Sequence, residues 1–231
     1  MPRAARLVIP DVALHVVQRG HDRADCFFEE ADYLAYLVAL GTYAARFACS
    51  VHAYCLMTNH VHLLITPRDS TGCALLMKHL AQRHAKRING KHGRTGTLWE
   101  GRPYSGLVAT DAYAIACYRY VELNPVRAGM VEHPSKYRWS SYAANMGTDL
   151  HSFIRPHPAF MALAAEEQQR RAAYQALCDE PLKQEVIDEI RRASYTGHAM
   201  GKLRKPRGRP KRSDPDENGD SHQLEMVTVT N

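Results

Sequence analysis

The stretch Cys55-Leu-Met-Thr-Asn-His-Val-His-Leu-Leu-Ile-Thr-Pro67 decides the fold of this chain and contains its first candidate site. This short β-rich run, bounded by Asn and Pro, predicts a β-strand. Because side chains alternate along a strand, His60 and His62 point to the same face, while Val61 points into a core behind them. Two imidazoles on one rigid face can bind one divalent metal ion.

The His-x-His pair is weak evidence on its own. The chain contains 13 histidines, so one pair at this spacing can arise by chance. Two half-buried strand histidines with ordinary hydrogen bonds would give the same pattern. A third ligand and a nucleophile elsewhere in the chain would favour the metal site over this alternative.

The composition indicates a globular protein with an anionic partner. Of the 231 residues, 45% are hydrophobic and 23% are charged, which suffices for one domain with appendages. The formal net charge of +6 is uneven, since nine Lys and Arg residues and no acid lie between Arg191 and Arg212. The six cysteines have no zinc-type spacing, and the sequence shows neither a signal peptide nor a membrane-length apolar run. We therefore expect a soluble, cytoplasmic protein.

The predicted elements follow the order strand, helix, strand, strand, helix, strand, helix. The strands are 12–18, 51–57, the two-histidine run and part of 97–108; the helices are 29–47, 73–88 and one that follows Thr110 and stops at Pro125. This order predicts an α+β fold, a ferredoxin-like split β-α-β antiparallel sheet with one added helix. We assign residues 1–145 to this domain, 146–200 to a helical accessory segment and 201–231 to a disordered tail.

The third helix carries a candidate nucleophile. Tyr120 and Asn124 are four residues apart and share one helix face, whereas Tyr118 lies about 200° round the helix from Tyr120. Asn124 could lend its amide oxygen to a metal held by the two histidines, leaving positions for phosphate oxygens and water. Mg²⁺ or Mn²⁺ suits such an open site. A core aromatic on an amphipathic helix is the alternative for Tyr120.

Two basic regions are candidate DNA-binding surfaces. One comprises the second helix and the loop after it, near Trp99 and Tyr104. It contributes Lys78, Arg83, Lys86, Arg87, Arg94 and Arg102, and indicates a phosphate-backbone surface, with a solvated helix face as the alternative. In the tail, Arg207 and Arg209 lie in a Pro-Arg-Gly-Arg-Pro run that resembles an AT-hook core and would fit an A·T minor groove. A solvated basic tail is the alternative there.

Two of these motifs together resemble a known family. The pair His60-Val-His62 and the run Tyr120-Val-Glu-Leu-Asn-Pro-Val-Arg-Ala-Gly-Met130 are similar to those of the single-tyrosine HUH transposases, and most similar to the REP-associated tyrosine transposases. The supporting stretches are His15-Val-Val-Gln-Arg-Gly20, Leu98-Trp-Glu-Gly-Arg102 and Trp139-Ser-Ser-Tyr142.

The resemblance implies a metal-dependent single-stranded DNA endonuclease and strand transferase. It would act beside REP-type palindromic hairpins of bacterial genomes, as a monomer or homodimer associated with the nucleoid. His60 and His62 would bind Mg²⁺ or Mn²⁺, and Tyr120 would form a 5′-phosphotyrosine intermediate. Related enzymes usually have Gln where this chain has Asn124, so this third ligand departs from their pattern.

Three other functions compete with this interpretation. A catalytically silent, hairpin-binding regulator would keep the same fold, and only metal-dependent covalent adducts would distinguish it from an enzyme. An RNA-binding module would carry the aromatic ribonucleoprotein signature, but the strand has histidines there. A zinc hydrolase would have an acidic third ligand near the histidine pair, and the sequence shows none.

Overall fold

The computed structural model of this protein describes residues 7–149 and 152–200. Its strands are β1 (Ala13–Arg19), β2 (Cys49–Leu56), β3 (His60–Pro67), β4 (Tyr104–Val108) and β5 (Ala199–Met200). Its longer helices are α1 (Glu30–Arg46), α2 (Gly72–Lys91), α3 (Asp111–Glu122), α7 (Glu167–Asp179) and α8 (Gln184–Thr196). Three single-turn helices, α4 (Asn124–Arg127), α5 (Tyr142–Asn145) and α6 (Pro158–Met161), lie between α3 and α7.

The sheet has the strand order β2-β3-β1-β4-β5. The first four strands are antiparallel to their neighbours, which is the ferredoxin-like arrangement predicted from the order of elements. The short β5 pairs with β4 in parallel and was not predicted. The fold class is therefore confirmed, and the sheet becomes a mixed one at its last edge.

Helices cover the sheet on both faces. On one face α1 and α2 pack over a core that includes Val16, Val61 and Ile65. On the other face α3 and the C-terminal helices pack over Leu64 and their own apolar residues. The β1–β3 register pairs Val17 with His62. Because side chains alternate along β3, His60 and His62 share the face of Leu64, which is the α3 face.

Helix α3 is positioned by the residues at its two ends. The Thr110 hydroxyl accepts a hydrogen bond from the Tyr113 backbone amide at 3.4 Å, so the predicted N-cap is confirmed. The predicted end at Pro125 is wrong, because α3 ends at Glu122 and Pro125 lies in the first turn of α4. Proline fits there because a first-turn amide needs no partner within the helix.

Residues 152–200 extend the same core. Ile154 bridges to Val51 of β2, and Tyr174 of α7 and Ile190 of α8 are fully buried on the α3 face. Helix α8 lies directly on the backbone of β4, because a Cβ at Gly106 would be only 2.8 Å from the carbonyl carbon of Ala193. The division at residue 145 stays a prediction, and the predicted disordered tail, with Arg207 and Arg209, lies outside the described residues.

None of the described helices is both long enough and apolar enough to cross a bilayer.

Candidate active site

A cavity of about 310 Å³ lies between the sheet and the helices α3, α4 and α8. Among the described residues its lining contains three arginines and no acidic side chain. Such a cavity attracts anions. The lining residues are His15, Val17, Arg19, Met57, His60, His62, Tyr104, Tyr120, Asn124, Arg127, Ala128, Arg191, Ser194 and Tyr195.

The predicted nucleophile and the histidine pair meet in this cavity. The ring centroids of His60 and His62 are 4.9 Å apart, and that of Tyr120 is 5.6 Å from His62. Tyr120 is 5% exposed, and its side chain lines the cavity. Tyr118 points elsewhere, with its hydroxyl accepting a hydrogen bond from the His157 amide at 2.9 Å. One chain thus supplies all these groups.

A chain of buried hydrogen bonds fixes the proton positions on His62. The Ser194 hydroxyl donates to the carbonyl oxygen of Ile190 at 2.9 Å, so it accepts from His15 Nδ1 at 2.8 Å. Neutral His15 then has a bare Nε2, which accepts from His62 Nδ1 at 3.0 Å. His62 Nε2 is therefore left with its lone pair available.

His60 is held in the same tautomer by a second set of bonds. The Asn59 amide nitrogen donates to the carbonyl oxygen of Arg23 at 3.0 Å, which turns the Asn59 amide oxygen toward His60. That oxygen accepts from His60 Nδ1 at 2.6 Å. His60 Nε2 is therefore unprotonated, and both histidines keep the nitrogen that metal ligation requires.

Burial keeps the three imidazoles neutral. Burial, with a smaller contribution from Arg127, lowers the pKa of His15 to about 3. Burial and the charge of Arg19 lower the pKa of His60 to about 4. The pKa of His62 falls well below its ordinary value for the same main reason. At neutral pH none of them carries the proton that would block a metal ion.

Arg127 places a positive charge beside Tyr120. Its guanidinium carbon lies 4.2 Å from the centroid of the Tyr120 ring, and its Nη2 donates to the Tyr120 carbonyl oxygen at 2.6 Å. Its Nη1 is buried and has no hydrogen-bond partner among the described residues. Arg127 therefore has a donor left for an anion in the cavity.

Asn124, the predicted third metal ligand, lines the cavity, and its amide is oriented by the helix. Its Nδ2 donates to the Tyr120 carbonyl oxygen at 3.2 Å, which leaves Oδ1 without that bond. Among the described residues no group of three or more His, Cys, Asp or Glu side chains could hold a metal ion. A metal here would have two imidazoles and one amide oxygen as protein ligands.

The basic surface was predicted on α2 and the loop after it, and α2 packs on the other side of the sheet. None of Lys78, Arg83, Lys86, Arg87, Arg94 and Arg102 lines the cavity. Arg87 pairs with Asp32 of α1 at 3.3 Å, and the Arg94 guanidinium lies over the ring of Phe28. Their role in DNA binding stays a prediction, while Arg19, Arg127 and Arg191 supply the positive charge at the cavity.

A buried carboxyl fixes the back of α3. Glu122 is fully buried and accepts hydrogen bonds from Ser141 at 2.5 Å, Asn145 at 2.7 Å and Tyr174 at 2.6 Å. Burial raises its pKa to about 7, against the opposite effect of these three hydrogen bonds. Glu122 thereby connects the helix that carries Tyr120 to α5 and α7.

Replacing Glu122 with Gln should change how stability depends on pH. Since folding raises the pKa of Glu122 from its ordinary value of 4.5 to about 7, the folded state holds an extra proton between these values. The wild-type free energy of unfolding therefore falls through this window as pH rises. Glutamine does not titrate, so as pH rises from 4.5 to 8 the free energy of unfolding of Glu122→Gln should increase by about 3 kcal/mol relative to that of wild type.

Urea unfolding of both proteins at several pH values measures this difference. The two proteins must be compared at each pH because both contain buried histidines, whose low pKa values reduce the free energy of unfolding as pH falls below 6.5. Subtracting the two values cancels this contribution. A constant gap between the two proteins at all pH values would contradict the prediction.

The sequence itself places the chain in a family. The sequence model of the IS200-like transposases matches residues 8–124, slightly more than half of the chain. The chain belongs to the IS200-like transposase family. The family predicted from His60, His62 and Tyr120 is thus confirmed. Arg127, Arg191 and Ser194 lie beyond the matched residues of this IS200-like transposase.

One solved structure supports the same fold. A REP-associated tyrosine transposase bound to a REP hairpin superposes with a TM-score of 0.52, at 14% identity over 69% of this chain and 93% of its own. A protein described as a transposase from Deinococcus radiodurans R1 gives a TM-score of 0.37, at 20% identity over 49% of this chain and 91% of its own. The second score is too low to argue a shared fold. No curated protein sequence is a significant match.

Proposed function

We propose that this IS200-like transposase nicks and rejoins single-stranded DNA beside palindromic hairpins. The observation that carries the proposal is the cavity itself. It brings Tyr120, two neutral histidines with available Nε2 atoms and three arginines together, with no acidic side chain among the described lining residues. That combination suits a phosphodiester, which is an anion attacked at phosphorus.

The reaction follows from the groups present. The Tyr120 hydroxyl oxygen attacks a DNA phosphorus and forms an O–P bond, while the P–O3′ bond breaks. The phenol proton is lost, and the 3′ oxygen leaves as a hydroxyl after taking up a proton. Attack by another 3′-hydroxyl on the 5′-phosphotyrosine reverses these steps and joins strands. Because the phosphoester bond is conserved throughout, no ATP is needed.

Arg127 supports the nucleophile and the phosphate together. Its guanidinium lies against the Tyr120 ring, where it would stabilise negative charge as the phenol loses its proton. Its unpartnered Nη1 would donate to a non-bridging phosphate oxygen. Arg19 and Arg191 line the same cavity and add positive charge.

The residues present fit a divalent metal ion. His60 and His62 would bind it through Nε2, and Asn124 would add Oδ1. When bound, Mg²⁺ or Mn²⁺ would polarise the phosphate and stabilise charge on the leaving oxygen. Mg²⁺ usually keeps several water ligands and binds substrate phosphates, and these three uncharged protein ligands would leave positions for both.

Removing His15 should weaken metal binding although His15 is not itself a proposed ligand. In His15→Phe, His62 loses its hydrogen-bond acceptor and its ring orientation is no longer fixed. Loss of such supporting contacts typically reduces metal affinity about 10- to 100-fold, and we expect a fall of this size in Mn²⁺ affinity. Mn²⁺ titration followed by electron paramagnetic resonance measures it without requiring turnover.

A second buried histidine supplies the control for this experiment. His84 lies on the opposite face of the sheet, where its Nε2 donates to the Cys26 carbonyl oxygen at 2.7 Å. His84→Gln should leave Mn²⁺ affinity unchanged. Equal affinities in wild type and His15→Phe would contradict the proposed role of His15.

The hairpin partner is supported by the fold. The solved REP-associated tyrosine transposase with the same fold is bound to a REP hairpin. We therefore propose hairpin DNA as the partner of this chain, and the bacterial nucleoid as its place of action. Since one chain supplies every group of the site, we also propose that a monomer is competent for cleavage.

Covalent capture tests the proposed function. Labelled hairpin DNA with single-stranded flanks, taken from repeats beside the native gene, is incubated with the full chain and Mg²⁺ or Mn²⁺. We expect a protein–DNA adduct that survives denaturant and disappears when EDTA is present. Tight binding with no adduct under either metal would overturn the nuclease and favour the hairpin-binding regulator.

A further inference from the structure

Two tyrosines at the edge of the cavity have no part in the proposed chemistry. Tyr104 belongs to β4 and Tyr195 to α8, and their ring centroids are 4.7 Å apart with an angle of 55° between the planes. Tyr195 is 58% exposed, so much of its ring is open to a ligand. Both side chains line the same cavity as Tyr120.

The charge beside this pair is positive. Arg191 precedes Tyr195 by four residues on α8, so both side chains lie on one face of the helix. Its ion pair with Asp188, at 3.8 Å between two half-exposed side chains, is a weak surface contact. An exposed aromatic face next to a cation is the combination by which proteins bind single-stranded nucleic acids.

The two tyrosines are mounted on rigid parts of the fold. Ile187, Ile190 and Ala193 of α8 are buried against the sheet, and Gly106 allows the helix to lie on the β4 backbone. The Tyr113 hydroxyl of α3 also donates to Glu189 of α8. The position of the aromatic pair relative to Tyr120 is therefore set before any ligand arrives.

We propose that Tyr104 and Tyr195 form a subsite for one unpaired nucleobase next to the cleaved phosphodiester. Tyr195 would stack on the base, and Arg191 would contact a neighbouring backbone phosphate. Any of the four bases can stack in this way, so the subsite positions the strand more than it selects a sequence. The inference rests on the proposed function, because the subsite requires single-stranded DNA as its ligand.

An abasic scan tests the subsite by binding alone. In full-length Tyr120→Phe protein, which cannot form an adduct, each flank nucleotide of the hairpin oligonucleotide is replaced in turn by an abasic spacer. We expect one position at which losing the base weakens binding about tenfold. In Tyr120→Phe/Tyr195→Leu, the same spacer should change the affinity less than about twofold, because no stacking remains to be lost.

Two variants separate stacking from general effects. Tyr195→Phe keeps the ring, and the base-dependent difference should persist. Tyr43→Leu removes an aromatic from α1, on the other face of the sheet, and should not alter the change in affinity that each abasic spacer causes. If every spacer has the same effect with and without Tyr195, the subsite is overturned.

The two proposals fail in different ways. Adducts of the wild-type chain without any coupling between Tyr195 and a base would overturn the subsite and leave the nuclease intact. If Tyr195 and one base are coupled but the wild-type chain forms no covalent adduct, the subsite is supported in a protein that binds DNA without cutting it.

Discussion

Tyr120→Phe should abolish the covalent adduct, lowering its rate of formation by more than about a thousandfold. The variant loses only the nucleophilic oxygen. Tyr120 packs in the core on the α3 face and also lines the cavity; because phenylalanine keeps its ring, removing the hydroxyl should change the free energy of unfolding by less than about 1 kcal/mol. Quantifying the denaturant-resistant adduct against time, with hairpin DNA and Mn²⁺, measures the effect.

Tyr118→Phe is the matched control on the same helix. Tyr118 packs on Phe160 away from the cavity, and its hydroxyl accepts a hydrogen bond from the His157 amide. Its loss leaves that amide unpaired at a cost of about 1–3 kcal/mol, but the adduct should still form. Adducts that persist in Tyr120→Phe and vanish in Tyr118→Phe would show that the nucleophile has been misassigned.

Arg127→Met should slow adduct formation about 100- to 1,000-fold, the usual effect of removing one donor to developing charge at an active site. The variant removes the charge beside Tyr120 and the donor proposed for the phosphate. The Tyr120 carbonyl oxygen keeps its hydrogen bond from Asn124, so α3 should stay in place. Single-turnover rates, together with binding of the uncleaved DNA, separate loss of chemistry from loss of affinity.

Arg119→Met is the control for charge alone. Arg119 also lies on α3, but its Nη2 donates to the Glu180 carbonyl oxygen at 2.6 Å and it does not line the cavity. This variant should keep a rate within about threefold of wild type. If the two arginine variants lose the same activity, Arg127 acts only through the net charge of the protein.

Most of the sheet could be predicted from the sequence because its elements are local patterns. Alternation around His60 and His62 identified β3 and the face its histidines occupy, and the order of elements identified the fold. Strand β5 could not be predicted, since Ala199 and Met200 are in a strand only because β4 lies beside them. Pro125 misled the prediction of where α3 ends, because a proline suits the start of a helical turn as well as the residue after one.

The surroundings of the site depend on contacts between distant residues. His15 lies in the predicted strand 12–18 and in a stretch that supports the family resemblance, but nothing local shows that it will meet His62 across the β1–β3 register. Ser194 is 179 residues away from His15 in the chain. Arg127 stands within the Tyr120–Met130 run that carries the family resemblance, yet its role depends on how α4 folds back against Tyr120.

The basic residues of α2 show that a charge pattern in the sequence does not give its position relative to the cavity. A run of basic residues is visible in any sequence, whereas the side of the sheet on which a helix packs is not. Helix α2 packs on the face of the sheet opposite the cavity, so DNA binding by its arginines and lysines stays a prediction. Of the three arginines that line the cavity, Arg19 and Arg127 belong to no basic run, whereas Arg191 begins the basic stretch that ends at Arg212.

The hydrogen bond from His15 to Ser194 has a consequence for reading genomes. Gene copies interrupted by a stop codon or frameshift between codons 130 and 184 still encode both histidines, the tyrosine and the motif after it. Their products lack α8, and with it the oxygen that orients His15 and one wall of the cavity. Counting intact motifs would therefore overstate how many copies encode a working protein, and an open reading frame through codon 200 is the safer criterion.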